Sequence, residues 1–92
     1  MSERHFVIVN IDHSSTLDRS KMTELLDSAV DWVEYDKNSW LVWTRKNSSF
    51  WYRKLKPAIP EDTNIFVSVV DVRNRAGWMP KEFWKFIRDK QE

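Results

Sequence analysis

"DWVEYDKNSWLVWT", residues 31–44, decides how the chain is read. Two short runs rich in tryptophan and valine flank Asp36-Lys37-Asn38-Ser39. Asp and Asn hydrogen-bond their own backbone and tolerate unusual dihedrals, so polar residues between two β-prone runs predict a hairpin. Upstream, "HFVIVNI" (5–11) is a β-branched run that reads as a strand, followed by the polar loop "DHSSTLDRS". From Lys21 the period changes. Met22, Leu25, Leu26, Ala29, Val30 and Val33 recur at the spacing of an amphipathic helix, with Asp18 or Ser20 available to cap it. Downstream, Ser48 or Ser49 can cap a second helix carrying Phe50, Trp51, Leu55 and Ile59 inward, which Pro57 keeps short. "IFVSVVDV" (65–72) is the last strong strand. The loop "RNRAG" then leads to Pro80 and the short helix "KEFWKFIRDK", with Pro80 at a first-turn position.

The order around the hairpin is strand, helix, strand, strand, helix, strand, with a C-terminal helix appended. That predicts an α+β chain, a single ferredoxin-like domain over 1–92: a βαββαβ sandwich with a four-stranded antiparallel sheet and two helices on one face. The strands are apolar on both sides. Phe6 and Ile8 oppose Val7, Val9 and Ile11; Leu41 and Trp43 oppose Trp40 and Val42; Phe66, Val70 and Val72 oppose Ile65, Val67 and Val69. A sheet wet on one side alternates apolar with polar, so the second face must be covered. The C-terminal helix can cover part of it and a second copy the rest, which predicts a homodimer. Trp40, Trp43, Trp78 and Trp84 are the interface candidates. Gly77, the single glycine, is expected to supply a positive φ that folds Trp78 and Met79 back over the sheet.

Composition narrows the chemistry. Among 92 residues there are six tryptophans and no cysteine, which removes disulfides, thiolate catalysis and the common structural zinc sites. One glycine cannot build a phosphate loop or a dinucleotide fingerprint. The apolar runs Phe6–Val9 and Trp40–Trp43 are far too short to span a bilayer, and no signal-peptide pattern opens the chain, so the expected location is the cytoplasm, without a membrane partner. The net charge of +1 hides an asymmetry: residues 1–44 hold four Lys/Arg against eight Asp/Glu (−4), and residues 45–92 hold eleven against six (+5). In the basic half, Arg45, Lys46, Arg53 and Lys54 surround Phe50, Trp51 and Tyr52, while Arg73 and Arg75 precede Trp78. Cations interleaved with rings suit a nucleic acid, neutralising phosphates while rings stack on bases; a solvated helix face would carry the same charges.

The first strand, "SWLVWT" (39–44), "LKPAIPEDTNIFVSVVDV" (55–72) and "AGWMPKEFWKFI" (76–87) together resemble small bacterial SinR-like proteins. These are similar to the small ferredoxin-like subunit of the CRISPR spacer-acquisition complex (CRISPR-associated protein two). The resemblance spans about Phe6 to Ile87. It implies the ferredoxin-like fold and a homodimer with facing sheets. Some CRISPR-associated relatives are metal-dependent nucleases using an aspartate near the end of the first strand. Here that stretch reads Val9-Asn10-Ile11-Asp12, and the aspartate position falls on Asn10 or Ile11; a shift of register is needed to bring in Asp12.

The leading expectation is therefore a non-catalytic dimeric binding protein with no cofactor, engaging a nucleic acid or a protein through its basic half. Two alternatives stay open. One is a small Mg²⁺-dependent nuclease with Asp12 at the dimer axis; the other is a protein-only adaptor. No metal-ligand set is assigned, and Asp12 reads equally well as a loop residue capping local backbone groups.

Overall fold

A computed structural model of the protein describes residues 3–91. Strand β1 (His5–Ile11) is followed by helix α1 (Arg19–Leu26), the hairpin β2 (Asp31–Asp36) and β3 (Ser39–Thr44), and helix α2 (Ser48–Leu55) with a 3₁₀ turn at Lys56–Ala58. Strand β4 (Ile65–Val70) and helix α3 (Lys81–Gln91) complete the chain. The four strands form one antiparallel sheet in the order β2-β3-β1-β4, so the architecture is α+β with three helices. Among the described residues, no helix is long and apolar enough to cross a membrane.

The hairpin closes where its turn chemistry dictates. Asn38 has φ 58°, the one positive φ at a non-glycine residue among those described, and its side chain is fully buried. Asparagine tolerates this left-handed region better than most residues, and here the side chain is fully used. Its Nδ2 donates to the carbonyls of Asp12 (2.9 Å) and Ser15 (3.1 Å), and its Oδ1 accepts from Arg19 Nη1 (2.9 Å). Its backbone carbonyl accepts from Ile11 N (2.9 Å) and its N–H donates to Glu34 Oε2 (3.2 Å). Arg19 also pairs with Glu34 and lies over the Trp40 ring, 5.6 Å from its centroid.

Helix α1 starts earlier and ends sooner than the apolar spacing predicts. Asp18 caps it, accepting from Lys21 N (3.1 Å), and the helix stops at Leu26. Ala29, Val30 and Val33 lie outside it. Val30 N already donates to Trp43 O (3.0 Å), so pairing with β3 claims the backbone that the helical period would have extended. Asp27 turns toward the strand and accepts from Trp32 Nε1 (2.9 Å). Helix α2 is capped by Asn47 rather than Ser48 or Ser49: Asn47 is extended, and its Oδ1 accepts from Phe50 N (2.9 Å). Strand β4 ends at Val70, two residues short of the expected span, and the Asp71 carboxylate beyond it bonds to Arg73.

Both sheet faces are covered by this one chain. On one face, α1 and α2 bring Met22, Leu26, Trp51 and Leu55 onto Val7, Val9, Trp40 and Val42. On the other, α3 lays Phe83, Trp84, Phe86 and Ile87 over Phe6, Leu41, Trp43 and Tyr35. The rings of Phe6 and Trp43 lie 4.6 Å apart and those of Tyr35 and Phe83 5.4 Å apart, contact geometries that add to plain burial. Burial and a hydrogen bond approach Tyr35 from opposite directions: desolvation pushes its phenol pKa up, while Ser39 draws it down.

The closing loop differs from expectation. Gly77 has no positive φ, and a Cβ there would meet the Trp84 ring at an ordinary 3.8 Å. Trp78 does not fold back; it is 98% exposed. The clasp is made by α3 itself.

Two stability predictions follow from these contacts. Asn38→Gly keeps the turn dihedral but loses three side-chain hydrogen bonds, and should cost about 2–3 kcal/mol in urea denaturation; Asn38→Ala should cost about 1 kcal/mol more for the left-handed backbone. An Asn38→Ala chain as stable as wild type would remove Asn38 from this role. Ile87→Ala, which empties the middle of the α3 contact, should cost about 2–4 kcal/mol by the same measurement.

Candidate nucleic-acid interface

The antiparallel order brings the start of β1, the end of β3 and the end of β4 to one end of the sheet. Register pairs His5 with Thr44 and Phe6 with both Trp43 and Val70. Beyond Thr44 the chain must turn into α2 within three residues, Arg45-Lys46-Asn47, and this turn is firmly held. The buried Thr44 hydroxyl oxygen accepts from Lys46 N (3.0 Å) and from Trp51 Nε1 (3.2 Å). His5 Nε2–H donates to the Lys46 carbonyl (2.8 Å), tying β1 to the same turn.

A shallow groove of about 630 Å³ opens here, lined by Glu3, His5, Arg45, Lys46, Asn47, Phe50 and Arg53. Lys46 Nζ lies 5.2 Å from the Phe50 ring centroid and Lys54 Nζ 5.6 Å, so two ammonium groups flank one half-buried ring. Ring and cations attract each other, which keeps both charges near the groove without neutralising them. Arg45 and Arg53 form no ion pair among the described residues. The groove thus gathers Arg45, Lys46 and Arg53, with Lys54 beside its Phe50 ring, and among the described residues none of the four forms an ion pair, although Glu3 also lines the groove. An anion entering it would meet flexible donors on a rigid floor.

A second groove adjoins it across His5, lined by Arg4, Trp43, Asp71, Arg73 and Lys90. Two of its three Lys/Arg residues, Arg73 and Lys90, are already engaged. Asp71 accepts from Arg73 Nε (3.0 Å), Nη2 (2.8 Å) and backbone N (3.0 Å), and these bonds lower its carboxyl to about 2. Lys90 pairs with Asp31 at 2.8 Å and sits over Phe86. Arg75, further along the loop, donates to the Val72 carbonyl (3.0 Å). Of the six basic residues singled out from sequence, Arg45, Lys46, Arg53 and Lys54 are therefore brought together, while Arg73 and Arg75 belong to a separate, partly neutralised loop.

The remaining candidates fall elsewhere. Asp12 lies at the far end of β1, about 23 Å from His5 at the ordinary strand rise. Its Oδ1 accepts from Ser14 N (3.0 Å) and Ser14 Oγ (2.9 Å), and these bonds lower its pKa, the backbone one most. That is the turn-capping arrangement. Among the described residues, no group of three His, Cys, Asp or Glu side chains is placed to hold a metal ion. Of the interface tryptophans, Trp40 is 2% exposed inside the helix-side core, and Trp43 and Trp84 pack beneath and within α3. Trp78 is the one free to meet a partner.

Sequence reasoning singled out neither His5 nor Asn47 for this site. The signal for His5 lay in the register: once β1 and β3 pair, position 5 falls beside Thr44 and the basic turn. The chain matches no protein-family model, and no curated protein or solved structure matches it.

The Asp71–Arg73 contact gives a pH prediction. A carboxylate held this low favours the folded state above its unfolded pKa near 3.8, and that contribution fades as pH falls from there toward about 2. Arg73→Ala should move the Asp71 titration, followed by NMR, upward toward 3.8, with no change above neutrality.

Proposed function

We propose that the chain is a non-catalytic binding protein that holds the phosphate backbone of a nucleic acid in the groove lined by Arg45, Lys46 and Arg53, with Lys54 beside it. The observation that carries this reading is the grouping of Arg45, Lys46, Arg53 and Lys54, which form no ion pair among the described residues, around a groove whose turn is anchored by Thr44 and His5, with Lys46 and Lys54 flanking the Phe50 ring. Backbone recognition needs charge more than directional chemistry, and the groove offers charge on a pre-organised support. The half-buried Phe50 and the exposed Tyr52 on the same helix add apolar surface for a base.

The strand order β2-β3-β1-β4, with a helix after β1 and another after β3, supports a ferredoxin-like assignment. The likeness to SinR-like proteins and the spacer-acquisition subunit enters this reading through that fold, and a homodimer remains part of it. The nuclease alternative has no comparable support, since Asp12 is spent on its own turn.

Fluorescence anisotropy with a labelled single-stranded oligonucleotide, and with its duplex, tests the reading across a salt series. Four phosphate contacts should give a log–log slope of about −3 to −4, and Arg45→Ala or Arg53→Ala should each reduce it by about 1. Arg73→Ala should leave the slope nearly unchanged. A flat salt response, or no binding at about 0.15 M salt, would overturn the proposal.

A further inference from the structure

The sequence pattern offers Ser48 and Ser49 as caps for α2, but Asn47 takes that role. Neither serine hydroxyl makes a hydrogen bond among the described residues. Both line a recess of about 300 Å³, whose other walls are Tyr52 from the same helix and Ile65, Phe66 and Val67 from β4. None of these six residues is charged, so the recess is neutral where the groove at Arg45 is basic.

The β4 wall brings backbone chemistry to this recess. Asp12 N donates to Asn64 O (2.9 Å), which fixes the phase of the β1–β4 ladder: Phe66 and Ser68 exchange bonds with β1 opposite Asn10 and Ile8. The N–H and C=O groups of Ile65 and Val67 therefore point away from β1, at the outer edge of the sheet. Beside them stands Tyr52, 44% exposed. A flat ring, two hydroxyls and strand-edge amides and carbonyls thus share one uncharged recess. That set matches a nucleobase, which has a π face to stack and a rim of donors and acceptors to bond.

We infer that this recess takes an unpaired base of a single-stranded nucleic acid whose phosphates lie in the Arg45 groove, an inference that rests on the phosphate-binding reading of that groove. Continuity along α2 selects this occupant. Ser49 has Tyr52 at i+3 and Arg53 at i+4, neighbours about 5–6 Å away between Cβ atoms. Tyr52 lines the recess and Arg53 the groove, so one turn of the helix joins the two. A strand crossing that turn sets a phosphate toward Arg53 and the attached base toward Tyr52. A duplex cannot do the same, because its bases are paired and stacked and offer only their edges in the grooves. Charge on one side of α2 holds the backbone, and the neutral recess on the other side selects for a base that is free to leave its stack.

Fluorescence anisotropy on the full chain with three labelled probes of equal length tests the inference: a mixed-sequence single strand, its duplex, and a single strand with abasic sites in place of its bases. The base-bearing strand should bind roughly tenfold tighter than the abasic one with a similar salt slope, since the two differ in stacking and not in phosphates. It should also bind more tightly than the duplex. Tyr52→Ala should erase the advantage over the abasic strand, and Tyr52→Phe should keep most of it, because the ring does the stacking. In amide hydrogen exchange, the base-bearing strand should protect the Val67 amide, while those of Phe66 and Ser68 are protected throughout. Equal affinity for base-bearing and abasic strands, or a duplex bound as tightly as the single strand, would overturn the inference and leave the phosphate reading standing. Absence of salt-dependent binding to every probe would overturn both. The comparison of probes on the wild-type chain decides the matter even if Tyr52→Ala fails to fold.

Discussion

The fold turns on a single buried amide. Asn38 sits at the tip of the β2–β3 hairpin, yet its side chain reaches back to the Asp12 and Ser15 carbonyls and meets the Arg19 guanidinium at the start of α1. The hairpin tip, the β1–α1 loop and the start of α1 share this one residue. Without it, the Ser15 carbonyl would lose this donor and the Asp12 carbonyl would keep only the one from Ser15 N. The positive φ at Asn38 is what aims the side chain inward, so local turn chemistry and long-range packing demand the same residue. Agreement of that kind between levels is what selects one structure from many.

The anchor also explains how a small chain accommodates so many large rings. With the hairpin fixed against β1, Trp40 and Val42 face the helices while Leu41 and Trp43 face the other way, and both sets need cover. Helices α1 and α2 supply it on one side. On the other, α3 arrives after a loop of ten residues and packs aromatic on aromatic. Five of the six tryptophans are thereby used in the two cores, and Trp78 stands apart in the loop between them.

The strands were legible from sequence because β-branched and aromatic runs bounded by polar turns leave little choice: His5–Ile11 and Ser39–Thr44 fall where the pattern places them. What pattern could not see was competition for the same backbone. Ala29, Val30 and Val33 continue a helical period, but β3 offers Val30 N an acceptor and the helix stops. The cap of α2 went to Asn47 for a related reason, since the extended residue after the basic pair already aims its amide at Phe50 N. Gly77 misled because glycine permits a positive φ without requiring one, and the required one lies at Asn38. The basic residues were visible, yet which of them converge depends on strand register. Arg73 and Arg75 look equivalent to Arg45 in the sequence, and only Asp71 and the Val72 carbonyl distinguish them.

Charge then acquires a spatial meaning that net values hide. The acidic half of the chain builds the β2 edge, where Asp31, Glu34 and Asp36 repel an approaching strand, and Asp31 and Glu34 are also tied to Lys90 and Arg19. The basic half builds the turn into α2, where no carboxylate balances Arg45 or Arg53 within the described fold. At the opposite edge of the sheet lies β4, with no charge along its length. Strands of one antiparallel sheet share the same backbone chemistry, so what sets their edges apart is side-chain charge and cover. In this chain that distinction sets an acidic edge at β2 against an uncharged one at β4.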